Sequence, residues 1–81
     1  MAQVDVSLVF GKIQFVNAFA DYKAQVVAAA EDLRVERVTA FARMPGQWEI
    51  VDAFPDYKIE LVDAFPDFTI RWVDSFPGPS R

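Results

Sequence analysis

The chain repeats one phrase of 11 residues. It reads VDAFPDYKIEL from Val51 to Leu61, VDAFPDFTIRW from Val62 to Trp72, and VDSFPG from Val73 to Gly78. A single unit of this size cannot bury its own apolar face, so the core must be assembled from neighbouring copies. The anchor valine extends upstream to Val38, Val27 and Val16. Only the step from Val38 to Val51 is longer, at 13 residues, and its extra length falls in the Pro-Gly turn of Arg43-Met44-Pro45-Gly46. Two residues after each anchor stands a small residue: Ala18, Ala29, Ala40, Ala53, Ala64 or Ser75. Next come Phe19, Ala30, Phe41, Phe54, Phe65 and Phe76, then Ala20, Glu31, Ala42, Pro55, Pro66 and Pro77. Asp21, Asp32, Asp56 and Asp67 follow, with Arg43 and Gly78 in the remaining units.

The expected organisation is one β-repeat domain over residues 1–81, with the cleanest repeats at 47–78. Residues 1–12 form an atypical first unit, as a cap would, and 42–46 an irregular loop. An 11-residue period also occurs in helical supercoils. Here Pro55 and Pro66 would break such a helix, at about 3 kcal/mol each. Tyr57-Lys58-Ile59-Glu60-Leu61 and Phe68-Thr69-Ile70-Arg71-Trp72 alternate apolar and polar instead, the period of a strand with one buried face. Ala28 to Asp32 retains helix propensity. The pattern predicts strands over Gln3–Val9, Lys12–Phe19, Tyr22–Ala29, Leu33–Phe41, Gln47–Phe54, Tyr57–Phe65 and Phe68–Phe76.

Two all-β arrangements compete. The expected one is an antiparallel meander of about seven short strands, with Pro66-Asp67 at a hairpin centre. Phe65 would then face Phe68, and Leu61 would face Trp72. It has two defects. Asp63 falls on the apolar face beside Ile70, and a Pro-first turn twists poorly into a two-residue hairpin. The alternative is a parallel β-solenoid, which stacks Val51, Val62 and Val73 but also brings Asp52, Asp63 and Asp74 into repulsive proximity.

The composition narrows function by exclusion. There is no histidine and no cysteine, so the usual neutral base, thiol nucleophile and zinc ligands are missing. The three glycines are isolated and build no phosphate cradle. Twelve acidic against eight basic residues, a net charge of −4, argue against nucleic-acid and anionic-membrane partners. Met1 to Phe10 has no basic start and carries Asp5, and no apolar run is long enough to span a bilayer. A cytoplasmic location is expected. Only carboxylates offer chemistry. Paired aspartates could hold Ca²⁺ or act as acid and base, but Asp21, Asp32, Asp56 and Asp67 stand where Asp bonds turn backbone. No catalytic residue, metal or cofactor is expected, and no enzyme.

The wording of the repeat, from Trp48 onward above all, resembles a group of small bacterial proteins with VDxFPD-type repeats. The resemblance covers Val16 to Gly78, with Ala20, Glu31 and Ala42 departing at the proline position. It implies no catalytic residues and no ligand. The functional expectation is a structural or protein-interaction module that self-associates, as a dimer, through an aromatic-rich face. That face comprises Phe54, Tyr57, Ile59, Leu61, Phe65, Phe68, Ile70, Trp72 and Phe76. A different class is a module that binds carbohydrate or a small apolar ligand on exposed rings.

Overall fold

Six of the seven predicted runs form strands, each shorter than the alternation suggests. The computed structural model describes residues 5–80. Its strands are β1 (Gly11–Phe15), β2 (Tyr22–Val26), β3 (Leu33–Val38), β4 (Gln47–Ile50), β5 (Tyr57–Leu61), β6 (Phe68–Trp72) and β7 (Gly78–Pro79). The strand expected over Gln3–Val9 lies partly outside the described residues. Its described part holds a 3-10 turn at Val6–Leu8, with the Asp5 carboxylate accepting from the Ser7 N–H.

Beyond the end of each of β1 to β6 the chain leaves the β region at one repeated position. Phe19, Ala30, Phe41, Phe54, Phe65 and Phe76 all have φ between 54° and 60°. That left-handed conformation ends the period-2 pattern and turns the following Pro-Asp back to the sheet. It also replaces the helix that Ala28 to Asp32 could have formed, since Ala30 has φ 60°.

The antiparallel meander is not what forms. Strand order is β4-β1-β5-β2-β6-β3-β7, and β3 also pairs with β4, closing six strands into a barrel. Every pairing among those six is parallel, and only the short β7 runs antiparallel, against β3. Leu61 lies opposite Ala24, and Trp72 opposite Val35. The repeats do not stack on their sequence neighbours as a solenoid would. Tyr22 pairs with Ile59 and Ala24 with Phe68, so the two halves of the chain interleave.

Parallel strands normally need a return crossover of a dozen or more residues, which is why six-residue links read as hairpins. The barrel avoids the return. β1 pairs with β4 over Gly11 to Ile13 and with β5 over Ile13 to Phe15, and β2 and β6 shift in the same way. This stagger inclines the strands steeply to the barrel axis. The chain therefore proceeds around the barrel instead of returning to its base. β1, β2 and β3 make one circuit, and β4, β5 and β6 fill the gaps in a second. The step from β3 to β4 goes to an adjacent strand, with Glu36 opposite Gln47, and this is where the repeat carries its two extra residues.

The inward residues of the alternation fill the barrel. Ile13, Ala24, Leu33, Val35, Trp48, Ile59, Phe68 and Ile70 are buried, with Val9 beside them. The Trp48 indole Nε1–H donates to the Val9 carbonyl at 2.8 Å, so its polar edge is satisfied inside the core. Trp72 meets Phe15 and Trp48 edge-on, and Phe15 is tilted against Trp48, with ring centroids 6.2–6.4 Å apart. Tyr22 meets Tyr57 and Phe68 at 5.9 and 6.0 Å. Among the described residues no helix is long and apolar enough to cross a membrane.

Candidate functional site

The connections are the site-forming parts of this fold. β1 and β2 flank β5, so the link between them must cross β5, and it crosses on the outside because side chains fill the interior. By the same order, the link after β2 crosses β6, that after β4 crosses β1, that after β5 crosses β2, and that after β6 crosses β3. Four crossings are clasped by the repeated aspartate. The Asp67 carboxylate accepts from the N–H of Lys23 at 2.7 Å, 44 residues away, while the Asp67 N–H donates to the Lys23 carbonyl. Asp56 does the same to Lys12, Asp21 to Lys58 and Asp32 to Thr69. These bonds reach the strand beneath, where sequence reasoning had placed them within the turn. Gln14 and Gln25 add side-chain bonds to the carbonyls of Asp52 and Asp63. Among the described residues no group of three or more potential metal ligands is assembled.

The left-handed turn lifts its aromatic ring away from the barrel. Phe19, Phe54, Phe65 and Phe76 are 84–96% exposed, and Phe41, with the Arg43 guanidinium over its ring, is 74% exposed. The residues expected to share one aromatic face therefore separate. Ile59, Phe68 and Ile70 are buried in the barrel, with Tyr57 packed against them. Leu61 and Trp72 are partly exposed at the strand ends, and Phe54, Phe65 and Phe76 project from the crossings. Of the face expected to seal a dimer, only Ile59, Phe68 and Ile70 form part of the barrel interior.

The crossing over β3 differs from the rest. Trp72 and Phe76 belong to the expected aromatic face, whereas Glu31, Arg34 and Arg71 were not singled out as site residues. Gly78 stands where the other crossings have Asp. An open groove of about 470 Å³ lies here, lined by Arg34, Arg71, Trp72, Asp74, Ser75 and Phe76 among others. Beside it, Glu31 accepts from Arg71 through both oxygens, at 3.0 and 3.3 Å, and from the Ser80 hydroxyl at 2.8 Å. Glu31 was visible in the sequence only as a charge standing at the proline position.

Those bonds hold the Glu31 pKa down at about 2, with the Arg71 hydrogen bond the largest cause. Its own backbone N–H and the Ser80 hydroxyl lower it further, against an opposing push from burial. A depressed carboxylate stabilises the fold above its unfolded pKa of 4.5, and that contribution disappears as pH falls toward 2. The melting-temperature gap between the wild type and Glu31→Gln is accordingly expected to be largest above pH 4.5 and to close near pH 2. A gap that stays constant across this range in thermal melts would contradict the assignment.

The chain belongs to the family of 7(1) septoil knot domains, whose family profile matches residues 6–80. The barrel of this chain is wound from two interleaved circuits, each crossed by links of the other. The search of curated proteins returned no match.

Proposed function

We propose that this septoil knot domain is a non-catalytic binding module that receives a carbohydrate ring or a small apolar molecule on its exposed aromatic side chains. The observation that carries the reading is the set of five exposed phenylalanines in left-handed turns. A left-handed conformation costs an L-residue about 1–2 kcal/mol, and glycine would fill it without that strain. The rings of Phe54 and Phe65 are more than 90% exposed, so they give the core nothing in return. Strain and exposure retained at position after position suit contact with something outside the chain. The reading of self-association rested on an open apolar sheet. Closure of the barrel covers that sheet, so no second copy is needed to shield it.

Stability and binding should separate at these positions. Phe65→Gly and Phe76→Gly are expected to keep or raise stability, by about 1 kcal/mol. They should lose affinity for soluble oligosaccharides or hexanol, followed by fluorescence of Trp72, which is 38% exposed. Glycine variants that bind as the wild type does, or a wild type with no saturable response, would overturn the reading.

A further inference from the structure

We infer that the groove over Arg34 binds a carboxylate carried on a flat-faced ring. This deepens the proposed function, and rests on it only for the ring contact made by Phe76. Three observations converge on the charge.

Arg34 and Arg71 are direct cross-strand neighbours, Arg34 on β3 and Arg71 on β6, so two like charges face each other. Such a pair is destabilising unless each charge is answered. Arg71 is answered by Glu31. Arg34 has no ion pair among the described residues, and its Nε is shut off from water with no hydrogen-bond partner. A guanidinium in that state is worse off than in free solution.

The repeat supplies the third observation. Arg34 occupies the place that Lys12, Lys23, Lys58 and Thr69 hold beneath the other crossings. There a carboxylate from the crossing link accepts from the backbone N–H of the residue below. At this crossing Gly78 takes the aspartate's place and pairs with Arg34 in the β3–β7 ladder, so the crossing sets no clasping carboxylate over Arg34. An external carboxylate would meet the Arg34 guanidinium, which has no ion pair among the described residues. A rotation of the Arg34 side chain within the groove turns its planar fork to both oxygens of the ligand. Asp74 lines the same groove but is exposed, so water screens its repulsion. Phe76, 84% exposed at the groove wall, offers its ring to the body of the ligand.

The shared chemistry, a ring bearing a carboxylate, can belong to an aryl acid or to an acidic sugar. Titration followed by ¹H–¹⁵N NMR separates the two with benzoate and glucuronate, against benzyl alcohol and glucose as neutral controls. One of the two acids is expected to shift the amides of Arg34, Arg71 and Phe76 saturably, and its neutral control is not. Arg34→Gln should weaken that binding at least tenfold. Arg34→Lys, which keeps the charge but loses the fork, should weaken it several-fold and covers the case of a Gln variant that fails to fold. Acid and neutral probes that bind alike, affinity unchanged in both Arg34 variants, or no saturable shift with either acid would overturn the inference. Acetate binding as well as benzoate, with Phe76→Gly without effect, would retain the charge site and defeat the ring contact instead.

Discussion

Trp48→Ala is expected to lose about 3–5 kcal/mol of stability, the range for emptying the site of a large buried aromatic. Trp48 is fully buried among side chains from both circuits of the chain. Its removal strips a tilted ring partner from Phe15 and an edge-on one from Trp72, and leaves the Val9 carbonyl without its indole donor. A small domain holds about 5–15 kcal/mol in total, so the variant should be near its folding threshold. Trp48→Phe keeps the aromatic volume and loses mainly the Nε1 hydrogen bond, for a cost of about 1–2 kcal/mol. Urea unfolding followed by far-ultraviolet circular dichroism measures both. Equal losses would show that the hydrogen bond, and not the volume, governs the site.

Gly46→Ala should destabilise by a similar amount through backbone geometry. Gly46 has φ 86°, where a side chain is strained. An added Cβ would collide with the Arg34 carbonyl oxygen, and would sit 2.5 Å from the Gly78 nitrogen and 2.8 Å from the Pro77 Cβ. Two of these are backbone atoms and cannot swing aside. Strain of about 1–3 kcal/mol and overpacking of about 1–3 kcal/mol give a loss of about 2–6 kcal/mol. The displacement would also part Gly78 from Arg34, where β7 pairs with β3. Hydrogen exchange is therefore expected to quicken first at the chain's C-terminal end. Protection there equal to the wild type's would show that the collision is relieved elsewhere.

The alternation in Tyr57 to Leu61 and Phe68 to Trp72 marked one inward face, of which the strand-end residues Leu61 and Trp72 are exposed. Ile59, Phe68 and Ile70 are all inside. The error began where the same alternation was carried through Val62 to Phe65. Asp63 fitted the apolar face badly because the strand had already ended at Leu61. Phe65 then turns outward through its positive φ, so a residue that reads as core is 94% exposed. Nothing in a lone Phe-Pro announces a left-handed phenylalanine, since the conformation is unfavourable by itself and persists only where the surrounding structure holds it.

The site shows the same division. Asp21, Asp32, Asp56 and Asp67 stood out by their spacing, but their partners are 37 or 44 residues away. The pairing of Glu31 with Arg71 spans 40 residues, and that of Arg34 with Arg71 crosses two strands of different circuits. By itself the sequence determined a repeated β unit, its two-residue alternation and the position of its irregular link, because these follow from local sterics and from the burial of one face. Strand direction, interleaving and the outward aromatic turns were decided by the tertiary structure. Each similar unit can pair with any other, and only closure of the six-stranded barrel selects the partners that cover its inner apolar face and pair the edges of those six strands.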